Sequence, residues 1–211
     1  MTEIYHTIRV YSRQPTAIDW QTYILWMQRA IGEAVGSNDG RANMGVWITP
    51  QASYLDKRTF QKHKSLYLLG GGPGAAPSTN NLLNLSDPAA QDLFFDQFET
   101  LILKYNCSRI WFDYNTDSRQ SHWNLWEHED GQGLLEIGFY RGLYKVFDRT
   151  LAKYPSVWIE GCASGGRMID LGSLSRTMSH WSNDDSVSDD RNRRFRLGAN
   201  HFLPAHYIQS E

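Results

Sequence analysis

The sequence predicts an α/β protein built on a parallel sheet. Short runs rich in β-branched and aromatic residues alternate with longer amphipathic segments, and the connections between them are short. This alternation is typical of parallel strands joined by helical crossovers. Three carboxylates, Asp113, Glu160 and Asp184, each stand at the C-terminal end of a predicted strand. In parallel α/β proteins that edge of the sheet carries the functional residues.

The composition is ordinary for a globular protein, with 41% hydrophobic and 21% charged residues. The chain has 211 residues, enough for one sizeable core, and we expect a single domain over 1–211. Its formal net charge of −2 lacks the excess of positive charge that nucleic-acid-binding proteins carry. No apolar run approaches the roughly 20 residues that span a bilayer, and the N-terminus has no signal core. We therefore expect a cytoplasmic protein with no nucleic-acid or membrane partner.

The first half of the chain holds the following predicted elements. They are a strand at 4–10, a helix at 19–35, a strand at 44–48, a helix at 57–66, a loop at 70–81, an extended segment at 82–85 and a helix at 86–105. Asp19 is the predicted N-cap of the first helix, and Pro88 suits the first turn of the last one. The glycine-rich composition of 70–81 favours a loop.

The second half continues the same alternation. We predict a strand at 108–113, a polar and aromatic loop at 114–131, a helix at 131–153, a strand at 156–160, a helical segment at 167–177, an extended segment at 179–184, a helix at 190–197 and a strand at 201–208. Trp123 and Trp126 in the loop either form a sugar platform or lid anchor, or pack against the core. Cys107 precedes one strand and Cys162 follows another, so we expect two free thiols at opposite ends of the sheet.

Two aspartates are the strongest candidates for catalysis. Asp113 closes the run Arg-Ile-Trp-Phe-Asp, where burial beside aromatic residues is costly unless the carboxylate is hydrogen-bonded or used. Asp184 adjoins Asp185, and two adjacent carboxylates at a strand end suit a general acid. A pair of carboxylates flanking a bond is the minimum equipment for cleaving a glycoside.

Other motifs favour no additional chemistry. The glycines after Cys162 allow close backbone approach to a ligand, although a tight strand-to-helix turn is the better explanation of this stretch taken alone. A nucleophilic Cys162 has no evident base partner. The segment at 68–79 lacks the Lys-Ser/Thr of a phosphate-binding loop, and the seven histidines show no paired metal spacing. We therefore expect no metal.

Four segments together resemble the catalytic barrel of glycoside hydrolase family 36, the α-galactosidases. They are LLNLSDPAAQDLFFDQF at 82–98, IWFDYN at 110–115, GCASGGRMIDL at 161–171 and WSNDD at 181–185. The resemblance covers about 44–206 and follows the family's order of motifs. It implies a (β/α)8 TIM-barrel fold, a retaining mechanism and no cofactor.

The resemblance also implies roles for individual residues. The family's nucleophile falls on Asp113 and its acid/base on Asp184. The galactose pocket would be lined by a group of motif residues. These residues are Trp47, Trp111, Asn115, Cys162, Ser164, Gly165, Gly166 and Asp185.

The sequence departs from the family pattern inside these motifs, and these departures should alter or weaken the sugar contacts. Two glutamates of the family's first motif are Thr49 and Gln51 here, the usual basic residue two before the nucleophile is Trp111, an arginine is Met168, and a serine is Asn183. The family's first barrel strands are not recognisable and the last is missing or degenerate, so we expect an incomplete barrel. Its open strand edges would imply further sequence, a partner chain as in a homo-oligomer, or poor stability.

The function predicted from the residues and the resemblance is hydrolysis of terminal α-galactosides. The substrate partner would be an oligosaccharide or another galactoside. Two alternatives stay open at this point. One is a galactosyl transferase of the raffinose-synthase type, and the other is a catalytically inactive barrel fragment with residual sugar binding.

Overall fold

The computed structural model describes most of the chain after residue 43. The described residues are 44–50, 57–76, 81–104, 106–113, 119–127, 131–181, 183–184, 189–204 and 207–209. The strand predicted at 4–10 and the helix predicted at 19–35 lie outside these ranges. All structural statements below refer to the described part of the chain.

Strands and helices alternate along the described chain. The strands are β1 (Met44–Ile48), β2 (Tyr67–Leu68), β3 (Leu82–Leu83), β4 (Cys107–Phe112), β5 (Trp158–Gly161), β6 (Ser179–Trp181) and β7 (Ile208–Gln209). The α-helices are α1 (Lys57–His63), α2 (Pro88–Glu99), α3 (Arg119–Trp126), α4 (Leu134–Lys153), α5 (Leu171–Leu174) and α6 (Asp189–Ala199). A 3₁₀ turn at Lys64–Leu66 follows α1, and a π-helical turn at Thr100–Lys104 follows α2.

Five of these strands form one parallel sheet in the order β1-β4-β5-β6-β7. The remaining two, β2 and β3, pair antiparallel in a small separate sheet. Each strand of the main sheet lies beside the next one in chain order, which is the arrangement that helical crossovers produce. The predicted parallel α/β architecture is therefore confirmed. The described strands form an open sheet with β1 and β7 at its edges and no closed barrel.

One face of the sheet packs against the helices and forms the core. Ile110, Phe112 and Ile159 point to this face and are fully buried. The Phe112 ring lies 6.1 Å from that of Phe94 on α2 and 5.2 Å from that of Phe147 on α4. The apolar stripes predicted for these two helices thus cover the sheet, as their periodicity indicates.

The beginning of α2 is fixed by a cap and by close packing with α4. Asp87 is the N-cap, and its carboxylate accepts a hydrogen bond of 2.8 Å from the Ala89 N–H. Gly142 lies in the middle of α4, and a Cβ there would be 1.7 Å from the Leu85 carbonyl oxygen. Only glycine allows the two segments to approach this closely.

Two differences between the sequence prediction and the structure concern the loop at 114–131 and the last strand. The predicted loop at 114–131 contains helix α3, whose polar composition hid its helical character. Trp123 on this helix is 2% exposed and its ring lies 5.2 Å from Phe139, while the Trp126 indole donates to the Leu69 carbonyl across 3.0 Å. Both tryptophans therefore pack against the protein interior, one of the two interpretations left open. The final strand predicted at 201–208 is limited to Ile208–Gln209.

Two further observations concern the thiols and the membrane. Cys107 and Cys162 are both free and buried, at opposite ends of the parallel strands β4 and β5, as predicted. Burial raises the pKa of the Cys107 thiol to about 12. Within the described ranges, none of the helices has the length and apolarity required to cross a membrane.

Candidate active site

Asp113 lies at the C-terminal edge of the sheet, where β4 ends. Its N–H donates to the Ile48 carbonyl across 3.0 Å, which continues the pairing of β4 with β1. On the other side, the Phe112 carbonyl accepts a hydrogen bond of 2.8 Å from the Cys162 N–H. The aspartate is 5% exposed, so its carboxyl group is held in a largely buried position between two neighbouring strand ends.

The turn at 162–166 directly follows β5 and has an unusual backbone. Ser164, Gly165 and Gly166 have φ angles of +46°, +70° and +100°. A positive φ is uncommon for a serine and costs free energy, so this conformation must be stabilised by its surroundings. The Ser164 N–H points at Asp113 and donates to its Oδ1 across 3.4 Å. The turn therefore presents a backbone donor to the first candidate carboxylate.

The same turn also contacts the second candidate carboxylate. A Cβ on Gly165 would lie 2.7 Å from the Asp184 backbone nitrogen and 3.0 Å from its Cγ. Real Cβ atoms do not approach other atoms this closely, so the position requires glycine for space as well as for its φ angle. Consecutive residues of one turn thus contact Asp113 and Asp184, which follow different strands.

Two tryptophans on the face of the sheet opposite the helices support Asp184. The Trp181 indole N–H donates to Asp184 Oδ1 across 3.0 Å. The Trp181 ring lies 5.3 Å from the Trp111 ring at an interplanar angle of 45°. Trp111 is the residue that replaces the family's usual basic side chain, and here it packs against the side chain that holds Asp184.

A pocket of about 430 Å³ opens beside Asp184. Its lining comes from the segment after β6 and from α6. The lining residues are Asn183, Asp184, Arg191, Arg194 and Phe195. The Asn183 side-chain amide donates to Asn192 Oδ1 across 2.8 Å and so joins α6 to the Asp184 segment.

Glu160 is part of an ion pair deeper in the sheet. Its carboxylate is bound by the Arg109 guanidinium through Nη2 and through Nε at 3.0 Å, and the Glu160 side chain is only 4% exposed. The Arg109 guanidinium also lies 6.0 Å from the centroid of the Trp158 ring. Glu160 therefore has a supporting role in the sheet.

The Cys162 thiol lies close to the candidate carboxylates but is held in its neutral form. Burial raises its pKa, and the negative charges of Asp113 and Asp184 act in the same direction. A thiol must ionise to act as a nucleophile. The structure therefore argues against a nucleophilic Cys162 and leaves it as a buried neighbour of Asp113.

The segment after the turn is structural. Met168, at the position where the family usually has arginine, is 1% exposed and belongs to the apolar core. Asp170 is the N-cap of α5, where it accepts hydrogen bonds from the Ser173 N–H at 3.0 Å and the Tyr144 hydroxyl at 2.9 Å. Asp170 thus has a supporting role at the start of α5.

The remaining predicted site residues are placed as follows. The backbone of Trp47 in β1 pairs in register with Trp111 in β4. Asn115 and Asp185 lie outside the described residues. No cluster of three or more His, Cys, Asp or Glu side chains in the described ranges could hold a metal ion.

Several residues around Asp184 were not predicted from the sequence. Trp181 stands three residues before Asp184 inside the Trp-x-x-Asp motif, and this spacing was the signal that could have identified it. The contributions of Arg191, Arg194 and Phe195 had no comparable signal, because only the folded chain brings α6 against Asp184.

Comparison with known proteins identifies the family of this chain. The family model described as Melibiase matches residues 19–208. The chain belongs to the Melibiase family. This result confirms the family 36 resemblance drawn from the four sequence motifs.

The relatives of this Melibiase-family chain are α-galactosidases. Alpha-galactosidase 2 of Hypocrea jecorina is 27% identical over 158 residues, which cover 74% of this chain and 20% of the relative. The α-galactosidase structure from Lactobacillus brevis has a TM-score of 0.67 at 23% identity and covers 85% of this chain and 24% of that one. A variant of the family 36 α-galactosidase AgaA from Geobacillus stearothermophilus, in complex with raffinose, has a TM-score of 0.68 at 18% identity, with 87% and 25% covered. The fold of this chain is thus the fold of the corresponding part of these enzymes, and the chain spans about a fifth of the length of the curated relatives it matches.

Proposed function

We propose that this chain forms the catalytic edge of a retaining glycoside hydrolase that acts on terminal α-galactosides. The observation that carries the proposal is the turn at 162–166, which contacts Asp113 through Ser164 and Asp184 through Gly165. Two carboxylates served by one turn can flank a single glycosidic bond. The α-galactosidase activity named for the relatives supports this substrate class, as do the complexes of AgaA variants with raffinose and stachyose. The architecture that we propose for the catalytic domain is a (β/α)8 barrel.

In the first half of the reaction, Asp113 is the nucleophile and Asp184 the acid. An Asp113 carboxylate oxygen forms a bond to the anomeric carbon of galactose as the bond from that carbon to the glycosidic oxygen breaks. Asp184 gives its proton to the glycosidic oxygen, which leaves as an alcohol. The products of this step are a galactosyl ester of Asp113 and an ionised Asp184.

In the second half, Asp184 is the base and water is the nucleophile. Asp184 takes a proton from water while the water oxygen bonds to the anomeric carbon and the ester bond to Asp113 breaks. Asp113 leaves as a carboxylate, and Asp184 is protonated again. The net reaction consumes one galactoside and one water and gives galactose and an alcohol with retained configuration.

The surrounding residues hold these two groups in place. The Ser164 N–H would stabilise ionised Asp113 before attack, and the Trp181 indole would orient Asp184 toward the glycosidic oxygen. The open backbone at Gly165 and Gly166, together with Trp47, Trp111, Asn115, Cys162 and Asp185, is the proposed galactose pocket. Packing of Trp111 on Trp181 replaces the charge that the family usually has at this position with an apolar contact.

The test compares the protein with two isosteric variants on 4-nitrophenyl α-galactoside. Asp113→Asn should reduce hydrolysis to background, because the amide cannot form the ester, and Asp184→Asn should reduce it at least about 100-fold. The first-formed galactose, followed by NMR, should be the α-anomer. Equal rates for the wild-type protein and Asp113→Asn would overturn the proposal in favour of an inactive, sugar-binding domain. Galactosyl transfer to an added acceptor sugar in preference to water would favour the transferase instead.

A further inference from the structure

The pocket beside Asp184 lies on one side of the proposed bond cleavage. Its lining includes Asp184 but not Asp113. If the proposed function is correct, Asp184 protonates the glycosidic oxygen, and this oxygen belongs to the leaving group. Asp113 instead attacks the anomeric carbon of galactose from the face opposite the leaving group. The pocket is therefore in the position where the leaving group of the substrate would bind.

The charge of the lining is unusual for a site that binds a neutral sugar. Arg191 and Arg194 are three residues apart on α6 and so lie on the same side of the helix, facing the pocket. Arg194 makes no hydrogen bond or ion pair with any residue that the structure describes, so its guanidinium is available to a ligand. A guanidinium group pairs best with a planar carboxylate or a phosphate, to which it can donate two parallel hydrogen bonds.

The pocket also has an aromatic wall. The Phe195 side chain is 47% exposed and contributes to the lining. An exposed aromatic ring offers an apolar surface against which a sugar ring can pack. The hydrogen bond from the Asn183 side-chain amide to Asn192 Oδ1 holds this part of α6 against the Asp184 segment. The distance from Asp184 to the arginines is thus set by a direct contact between the two segments.

We propose that this pocket is a leaving-group subsite that selects an anionic sugar. The preferred substrates would be α-galactosides whose leaving group carries a phosphate or a carboxylate. The negative group would bind the Arg194 guanidinium, beside the positive charge of Arg191, and the sugar ring would pack on Phe195. This proposal names the substrate class of the site described above and rests on the proposed function.

The direct test is a titration that needs no catalysis. The full chain is titrated with glucose 6-phosphate, glucuronate and glucose, and binding is followed by calorimetry. We expect at least one of the two anionic sugars to bind about 10-fold more tightly than glucose, and the comparison of the two identifies the preferred anion. Arg194→Gln should abolish this difference. Arg196→Gln removes the same charge from an exposed position of α6 outside the pocket and should retain it.

Each outcome decides the proposal. Equal affinity for glucose and both anionic sugars would overturn it. If Arg194→Gln and Arg196→Gln reduced the preference for anionic sugars over glucose equally, this would also overturn it. The attraction would then come from the overall charge of α6. Glucose 6-phosphate or glucuronate should also inhibit hydrolysis of the neutral 4-nitrophenyl α-galactoside, with an inhibition constant about 10-fold higher in Arg194→Gln. If the wild-type protein does not hydrolyse that neutral substrate, the proposed function fails, whereas the titration still decides whether the pocket selects anions.

Discussion

The indole N–H of Trp181 donates a hydrogen bond to Oδ1 of Asp184 across 3.0 Å. Trp181 ends β6 and is 9% exposed, whereas Asp184 is exposed and stands three residues beyond the end of the strand. A buried, rigid side chain thus anchors a carboxylate that the backbone alone would leave less well fixed. The position of Trp181 in the sheet therefore determines the orientation of the Asp184 carboxylate.

Replacing this donor should impair acid catalysis. Trp181→Phe keeps the ring packed on Trp111 but removes the N–H, and we expect kcat to fall about 10-fold with little change in KM. The loss should be larger for raffinose than for 4-nitrophenyl α-galactoside, because nitrophenol leaves with less need of a proton. Steady-state kinetics on both substrates checks this, and an equal loss on both would mean that Trp181 has no role in protonation.

A methyl group at Gly165 should disturb the site. Gly165→Ala places a Cβ 2.7 Å from the Asp184 nitrogen in a residue with φ of +70°. We expect a loss of at least about 1–2 kcal/mol in the free energy of unfolding together with reduced activity. Gly198→Ala is the matched control, since its Cβ would meet no atom within 4 Å and its position is helical. It should increase stability by about 0.5–1 kcal/mol. Urea unfolding of both variants measures these changes, and similar stabilities would contradict the geometry of the turn.

The buried ion pair should be sensitive to the loss of one partner. Glu160→Gln leaves the Arg109 guanidinium beside a neutral amide, and we expect the free energy of unfolding to fall by about 3 kcal/mol. The double variant Arg109→Leu with Glu160→Leu should recover much of this loss because it leaves no unpaired charge. Chemical denaturation measures both effects.

An exposed ion pair serves as the control for this comparison. Asp92→Asn breaks the pair with Arg149, whose two side chains are 67% and 50% exposed, and no clear change in stability is expected. If Glu160→Gln lowered the free energy of unfolding as little as Asp92→Asn does, the pair between Arg109 and Glu160 would contribute little to the stability of the sheet.

His180 should make the fold sensitive to mild acid. Its ring packs against Gly161, its Nε2 and the Thr177 hydroxyl are 2.6 Å apart, and its Nδ1 has no hydrogen-bond partner among the described residues. Burial lowers the pKa of His180 to about 4, although the charge of Asp170 acts in the opposite direction. The unfolded chain, with a histidine pKa near 6.5, therefore binds the proton more tightly than the folded protein does.

The resulting pH dependence has a defined sign and window. Stability should be constant above about pH 6.5 and fall as the pH decreases toward 4, by up to about 3 kcal/mol in total. Thermal or urea unfolding between pH 4 and 7 measures this slope. His180→Gln should flatten it, and the same change at the exposed His201 should not. A slope that persists in His180→Gln would assign the effect to other groups.

The sequence was sufficient to predict the sheet and the helices that cover it, for physical reasons that particular residues illustrate. Ile110 and Phe112 alternate with Arg109 and Trp111, so the period of two showed which residues of β4 face the core. The apolar spacing in α2 and α4 was equally regular. Helix α3 was missed because its sequence, Arg-Gln-Ser-His-Trp-Asn-Leu-Trp, is polar and stabilised by the docking of Trp123 and Trp126.

The candidate site was predictable only in part. Asp113 and Asp184 could be recognised because strand ends meet at one edge of a parallel sheet and because the motifs around them are specific. The contacts that serve them could not be read in the same way. The positive φ of Ser164, the approach of Gly165 to Asp184 and the placement of α6 all depend on how separate segments pack. The sequence around each of these residues does not show how the separate segments pack.

The tryptophan pair at the site has a consequence for spectroscopy. Trp111 and Trp181 lie 5.3 Å apart with tilted rings, and two indoles at this distance couple their electronic transitions. Such a pair produces a circular dichroism couplet distinct from the signals of isolated tryptophans. Because the Trp181 indole donates a hydrogen bond to Asp184, the couplet reports on the geometry around that carboxylate. The protein thus contains its own optical probe, with which ligand binding can be followed without a label or a chromogenic substrate.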